Sequence, residues 1–308
     1  MTRALLITNP AAARTDARAV TAVRETLRGG GWDVEVLATL GPRDAYRFAA
    51  EARDQKFDVL VCYGGDGTAM QIAAAIVGTG IPLGLVPGGT GNLLAGNLRL
   101  PRNAAKAARA LLTARPHPID LGVSERADGA HYFAVASGTG FDAELMAETS
   151  AAAKRRWKFG AYVGHAVAKL SGVRSARHRI TVDGKVHEVA AAMLLVLNCA
   201  ELIPPFVRLR KDIAPDDGWL DVVALRADGI AQSVAAAWDL FRGTANGAGR
   251  VWWGRGRTIR VEVVGAPPRP VQLDGELVGD TPFETRILAG ALTVLVDPAG
   301  GWKGSRHG

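Results

Sequence analysis

Gly64-Gly65-Asp66-Gly67-Thr68 combines three glycines, one carboxylate and one hydroxyl in five residues, a set suited to holding an anion. Its glycines let the backbone approach a ligand closely or take positive φ. The alanine-rich, apolar run Ala69 to Val77 reads as a helix, so the turn lies at a helix start. Unpaired N–H groups and the positive end of the helix dipole favour an anion there. Asp66 adds one carboxylate where a phosphate-bound Mg²⁺ could sit. Taken alone, the same residues also suit a tight strand-to-helix turn with Asp66 as N-cap. About twenty residues on, Pro87-Gly88-Gly89-Thr90-Gly91-Asn92 repeats the arrangement after the apolar run Leu83 to Val86. Two such loops at the carboxyl ends of neighbouring strands form a crevice of the kind in which open α/β sheets bind ligands. A nucleotide phosphate site accounts for both.

The elements that must position these loops alternate. Ala4–Thr8 is a strand stopped by Asn9-Pro10, and Val20, Val23 and Leu27 mark a helix beginning near Thr15 or Asp16. A second strand follows over Val34–Leu37, and Asp44 opens a second helix through Ala52. With Val59–Cys62 and Leu83–Val86 this gives four strands alternating with helices, a doubly wound parallel sheet over residues 1–119. From Ile119 the texture changes to strands with turn signals: Tyr132–Ala136, Arg179–Val182, Val186–Leu197, Leu220–Leu225, Ile259–Val264, Val271–Leu273 and Leu292–Val296. Asp183-Gly184 and Asp274-Gly275 are hairpin signals. Helical patterns interrupt at 143–153, 158–170 and 230–241. Residues 120–299 thus form a separate β-rich, antiparallel domain whose last residues could return to the first, and 300–308 a flexible tail.

The chain has 308 residues, 48% hydrophobic and 22% charged, enough for two globular domains. Cys62 and Cys199 lie in apolar runs and read as buried thiols, which fits a reducing cytoplasm. No leader segment and no membrane-spanning run is evident, so a cytoplasmic location is expected. The net charge of +7 permits nucleic acid, an anionic membrane or phosphorylated ligands as partners and decides among none. Nothing in the motifs asks for nucleic acid.

Six motifs in one order carry a resemblance over nearly the whole chain: Asn9-Pro10, Gly64–Thr68, Gly89–Asn92, Gly138–Ala143, Asp216–Asp221 and Asp274-Gly275-Glu276. In them the chain resembles the diacylglycerol kinase catalytic-domain superfamily, in particular bacterial lipid kinases related to sphingosine and ceramide kinases. The resemblance implies a first domain similar to those of NAD kinases and phosphofructokinases, a second that is β-sandwich-like and binds lipid, and an active site between them. It implies ATP- and Mg²⁺-dependent phosphorylation of a lipid hydroxyl, diacylglycerol above all. It places the nucleotide on Asn9, Thr39, Gly64, Gly65, Asp66, Gly67 and Thr68, with Gly89, Thr90 and Asn92 lining the crevice. Asp66 and Asp120 would join the Mg²⁺–water network, Glu276 would be the general base, and Asp274 would lie beside it near the nucleotide. A second, structural Mg²⁺ would rest on the Asp217 carboxylate and the carbonyls of Ala214 and Trp219. The resemblance further implies peripheral contact with a membrane surface and, as is frequent in the family, a homodimer.

This sequence departs from the family at Met70 and Gln71, where asparagine and glutamate are usual, and at Leu93-Leu94-Ala95-Gly96, where Asp-Phe-Ala-Arg is frequent. The first loop reads Asn9-Pro10-Ala11-Ala12-Ala13, without its usual glycine. A carboxylate and an arginine near the phosphates are thereby absent. Another lipid acceptor (phosphatidylglycerol, ceramide or a sphingoid base), a small-molecule kinase similar to NAD kinase, and a catalytically weak nucleotide-binding regulator stay open. Lys154–Phe159 mixes cations with aromatics, as interfacial segments do, or is a solvated helix start. Trp252-Trp253 is a second interfacial contact or core.

Overall fold

The structure is a computed structural model that describes residues 1–140, 174–204, 207–229, 231–235, 238, 249–302 and 304. The helices expected over 143–153 and 158–170, most of that over 230–241, Phe141–Ala143 and the segment Lys154–Phe159 lie outside these residues.

Strands β1 (Arg3–Thr8), β2 (Asp33–Ala38), β3 (Val59–Gly64) and β4 (Leu83–Pro87) pair in parallel in the order β2-β1-β3-β4. Alternation along β1 divides the core. Ala4 and Leu6 pack with Val23 and Leu27 of helix α1 (Ala17–Gly29) and with Leu111 of a helix over Ala104–Thr113. Leu5 and Ile7 pack with Ala45 and Ala49 of α2 (Asp44–Ala52) and with Ile72 and Ile76 of α3 (Asp66–Ile76). α1 starts where Asp16 accepts the Ala19 N–H at 2.8 Å. A short α4 (Leu93–Asn97) follows β4, which makes the Ala104–Thr113 helix α5.

Then come β5 (Arg115–Arg126), β6 (Gly129–Phe133), β7 (Ala136–Gly140), β8 (Ala176–Val182), β9 (Lys185–Ala191) and β10 (Met193–Leu197). The small β11 (Glu201–Ile203) and β12 (Val207–Arg208) precede β13 (Leu220–Leu225), β14 (Val251–Gly256), β15 (Thr258–Val264), β16 (Pro270–Leu273), β17 (Glu276–Asp280) and β18 (Phe283–Val296). One antiparallel sheet runs β14-β13-β10-β7-β16-β17. The other continues the parallel sheet, because β18 pairs antiparallel with β5 and β15 and carries Val294 alongside Leu83 of β4. Phe133, Ile180, Val261 and Phe283 meet Leu194, Val222, Val271 and Leu273 between the two sheets. The second region is therefore a sandwich grown from the edge of the first region's sheet.

Two expected strands are each two strands. Val186–Leu197 breaks at Ala192, where the chain leaves β9 in one sheet for β10 in the other, and Tyr132–Ala136 breaks the same way between β6 and β7. A crossing buried on both sides keeps the sequence apolar and hides the break. Trp252 and Trp253 are half-buried on β14, packed against the cores, with Arg210 over the Trp253 ring at 5.1 Å. Of the expected flexible tail, Trp302 packs edge-on against His117 with ring centroids 4.8 Å apart. Both cysteines are buried and free. Among the described residues no helix is long and apolar enough to cross a membrane.

Candidate active site

The carboxyl ends of the parallel strands bring together Thr39 after β2, Asn9 after β1 and both glycine loops. Asn9 Nδ2 donates to Thr68 Oγ1 at 3.1 Å, and Asn9 Oδ1 accepts the Ala11 N–H at 2.9 Å. The Thr39 N–H donates to the Thr8 carbonyl at 2.9 Å. None of Gly64, Gly65, Gly67, Gly88, Gly89 and Gly91 has positive φ; the left-handed residue here is Asn92, at 51°. The glycines serve close approach instead. A Cβ on Gly89 would stand 2.6 Å from the Gly65 Cα, so the two loops touch backbone to backbone. Asn92 closes the second loop on itself, its amide bonded to the Gly89 N–H at 2.9 Å and carbonyl at 2.7 Å. Thr90 is exposed at the tip.

Asp66 is not the N-cap of its own helix; Gly65 is. The Asp66 carboxylate instead crosses to the second loop and accepts the Leu93 N–H at 2.6 Å. Burial raises its pKa, and the amides of Leu93, Asn92 and Leu94 partly offset that. At Leu93, where the usual aspartate is missing, Asp66 thus holds the backbone N–H, and position 93 brings no second carboxylate beside it. Leu94 is buried in the core.

The second region reaches this crevice through the turn between β16 and β17. Asp274 and Gly275 have φ 45° and 90°, as a two-residue hairpin of the expected kind requires. The Asp274 carboxylate accepts the N–H groups of Ala134, Val135 and Ala136 at 2.7, 2.9 and 2.8 Å. Burial, with the charge of Asp66 added, still pushes it up to about 6. The next residue of the motif, Glu276, is exposed at the mouth and leans over the first loop: a Cβ on Gly67 would lie 2.5 Å from Glu276 Oε1. Asp66 and Glu276 thus lie at the same glycine loop, while the Asp274 carboxylate is taken up by the three amides behind it. Of these, half-buried Asp66 offers the hard oxygen donor of the type that suits Mg²⁺.

Asp120 fastens two loops. Its Oδ2 accepts the Gly218 N–H and its Oδ1 the Gly290 N–H, both at 2.7 Å, which ties the 214–219 loop to the irregularity in β18. In that loop Asp217 accepts the N–H groups of Trp219 at 3.0 Å and Ala214 at 3.4 Å, and Arg255 stands 3.7 Å away. Burial nonetheless raises Asp217 to about 6. The loop turns the N–H groups of Ala214 and Trp219 toward this carboxylate. Among the described residues no group of three or more His, Cys, Asp or Glu gathers as a metal cage.

Sequence reasoning missed the fastening between the regions. Glu201 of β11 is buried, takes a two-pronged bond from Arg99, and exchanges backbone bonds with the Asn97 side chain at 2.8 and 3.1 Å. No local pattern marks a pair 102 residues apart. It missed Tyr63 too, whose hydroxyl donates to the Arg14 carbonyl at 2.5 Å while the Arg14 N–H donates to the Gly88 carbonyl at 2.9 Å. A buried tyrosine ending a strand needs such a partner. Beside the second loop a cavity of about 190 Å³ opens, lined by Gly91, Asn92, Gly96, Arg99 and Arg102 among others.

A parallel α/β sheet ending in two glycine loops, met by a sandwich that delivers a carboxylate, defines a two-region fold with its candidate site where the regions meet. Residues 3–124 match the diacylglycerol kinase catalytic domain, and residues 134–296 match the YegS C-terminal NAD kinase beta sandwich-like domain. The chain is 27% identical to the diacylglycerol kinase of Bacillus subtilis (strain 168), over 92% of this chain and 93% of that one. It is 32% identical to a Pseudomonas aeruginosa (strain UCBPP-PA14) protein named a probable lipid kinase, YegS-like, over 89% and 87%. The match to the longer Synechocystis protein sll0036 takes in 77% of this chain and 54% of that one. The crystal structure of a candidate diacylglycerol kinase from Bacillus anthracis str. Sterne superposes with a TM-score of 0.79 at 26% identity, covering 96% of each chain. The chain belongs to the family of diacylglycerol kinases and YegS-like lipid kinases.

Proposed function

We propose that this enzyme transfers the γ-phosphoryl group of ATP, with Mg²⁺, to a lipid hydroxyl, with diacylglycerol the first acceptor to test and phosphatidic acid its product. The observation that carries the proposal is the Glu276 carboxylate standing over Gly67 beside Asp66. Phosphoryl transfer asks chiefly for positioning, charge neutralisation and a proton acceptor. Backbone N–H groups of the two glycine loops, with Asn9, Thr39, Thr68, Thr90 and Asn92, would hold the nucleotide. Glu276 would take the proton as the lipid oxygen bonds the γ-phosphorus and the bond to ADP breaks. Asp274 holds the turn that presents Glu276. Asp66 would hold Mg²⁺, whose charge offsets that of the transferring group when bound. A lipid acceptor requires contact with a membrane surface, so the proposal includes peripheral docking and no nucleic acid partner.

The test is transfer of labelled γ-phosphate from ATP–Mg²⁺ to a panel of lipids in detergent micelles. Wild type is run beside Asp66→Asn and Glu276→Gln. A labelled lipid that both substitutions abolish is the expected result. Bound ATP without any product would favour the regulator that Gln71 and Leu93 suggest, and failure to bind ATP would sink the kinase proposal.

A further inference from the structure

Among the described residues Tyr63 is the largest side chain that is wholly buried, and it stands next to the end of β3, just before Gly64. Its ring lies in the core with Leu6, Val61 and Val86, where a phenylalanine would fill the same space. The hydroxyl is what phenylalanine lacks, and it reaches the first loop. Tyr63 brackets that loop at both ends: its carbonyl accepts the Asn9 N–H at 3.2 Å, and its hydroxyl donates to the Arg14 carbonyl at 2.5 Å. The Arg14 N–H donates to the Gly88 carbonyl at 2.9 Å, and the Gly88 N–H to the Gly64 carbonyl at 2.8 Å. With the peptide link from Tyr63 to Gly64, these bonds close a ring through all three loops of the crevice. Gly88 makes room for it, since a Cβ there would stand 2.6 Å from Thr15 Cγ2 and 3.2 Å from Tyr63 Cδ2. Inside the first loop the Ala11 N–H goes to Asn9 Oδ1 at 2.9 Å and the Ala12 N–H to the Asn9 carbonyl at 3.0 Å. Asn9 Nδ2 is thereby turned to Thr68 of the second loop. None of residues 9–14 has positive φ. The run Asn9-Pro10-Ala11-Ala12-Ala13 therefore does not take its course from a left-handed residue, as its usual glycine would permit; the course is held from outside, by Tyr63.

We propose that Tyr63 is a positioning residue for the nucleotide: its hydroxyl fixes the Asn9–Arg14 loop, in place of the missing glycine, in the shape that meets the phosphates. It acts through the loop and touches no ligand itself. The inference rests on the nucleotide reading of the crevice and is independent of which acceptor is phosphorylated.

The test compares the full wild-type chain with Tyr63→Phe, which keeps the ring, and with Val23→Ala, a truncation elsewhere in the same core. Amide hydrogen exchange of the first loop is measured without nucleotide, ATP–Mg²⁺ binding by calorimetry, and turnover on the lipid panel. Tyr63→Phe should speed exchange at Ala11, Ala12 and Arg14 about tenfold and weaken ATP binding about tenfold, the worth of one hydrogen bond. The KM for ATP should rise by that factor while kcat at saturating ATP changes less than about twofold, because the loop holds ground state and transition state alike. Val23→Ala should lower the melting temperature at least as far and leave ATP affinity unchanged. Unchanged ATP affinity or unchanged exchange in Tyr63→Phe overturns the assignment, as does a fall in kcat with KM unmoved. An equal loss of affinity in Val23→Ala also overturns it, because affinity would then follow stability alone. Wild type that binds no ATP defeats this assignment and the kinase proposal together. A loss of ATP affinity confined to Tyr63→Phe, with no lipid labelled by any chain, leaves the assignment standing and defeats the lipid-kinase proposal instead.

Discussion

Asp183-Gly184 and Asp274-Gly275 are the same dipeptide in the same turn, with φ 46° and 82° in the first and 45° and 90° in the second. The first joins β8 to β9 at an exposed end of the sandwich. Its carboxylate accepts the Arg257 and Thr258 N–H groups at 2.9 and 2.8 Å, and the chain continues into Lys185. The second points its carboxylate inward onto three consecutive amides and continues into Glu276, over the glycine loop of the other region. Local chemistry makes both turns, and the surroundings make only one a candidate for catalysis. What separates them is long-range: β16 lies beside β7, whose approach from β6 supplies the amides of Ala134 to Ala136.

Substituting the residue after each turn separates the two most directly. Glu276→Gln should lower turnover by about 10²–10⁴, the range for losing a general base, with little change in melting temperature. Lys185→Met at the equivalent place should leave turnover alone, and comparable losses from the two would end the distinction. Gly67→Ala is next. Its methyl group cannot coexist with Glu276 Oε1 where that oxygen stands, so the carboxylate must withdraw. Displacement on the order of 1 Å can cost about 10² in rate, and that is the loss expected in a steady-state assay, with stability nearly unchanged. Asp274→Ala should act chiefly on folding. It strips three amides of their acceptor, at about 1–3 kcal/mol for each that stays buried and unmet. Urea unfolding should show a loss of about 3 kcal/mol or more, against under about 1 kcal/mol for Asp183→Ala, whose partners water can reach.

The same contrast marks how far the sequence could be read. The parallel sheet, both glycine loops and both hairpins were legible because each is written in a few consecutive residues: an apolar run, a glycine cluster, an Asp-Gly pair. The role of those glycines was legible only in part, since positive φ and close approach both ask for glycine and only coordinates separate them. Sheet membership was not legible. Ala192 sits inside an unbroken apolar stretch, yet it is where the chain changes sheets. Nor was the partner of any carboxylate. Asp66 reads as a cap for α3 but holds Leu93 of α4, and no local pattern marks Gly218 and Gly290 as the partners that Asp120 fastens together. Glu201 gave no signal at all, because its importance lies wholly in Arg99 and Asn97 from another region.

The smallest expected effect concerns protons. Asp274 has a pKa of about 6 in the folded chain, raised by burial and then by Asp66, against about 3.9 in an unfolded chain. Below pH ~4 the group is protonated in both states, and the native state keeps the full benefit of a neutral buried carboxyl. Between pH ~4 and ~6 the unfolded chain releases this proton first, so the native state binds more protons and its stability falls as pH rises. Urea midpoints from pH 4 to 7 in chelator-containing buffer should therefore diverge between wild type and Asp274→Asn in a pH-dependent way, whereas Asp183→Asn should run parallel to wild type. A wild-type-minus-Asn difference that is flat with pH would mean that Asp274 titrates as an ordinary carboxylate and that the two turns differ in position alone. Adding Mg²⁺ and nucleotide sharpens the test. A cation held at Asp66 favours the ionised form of its neighbour, so the divergence should shrink only when both are present. If it shrinks equally with nucleotide alone, the positive charge that Asp274 feels is not a metal bound at Asp66.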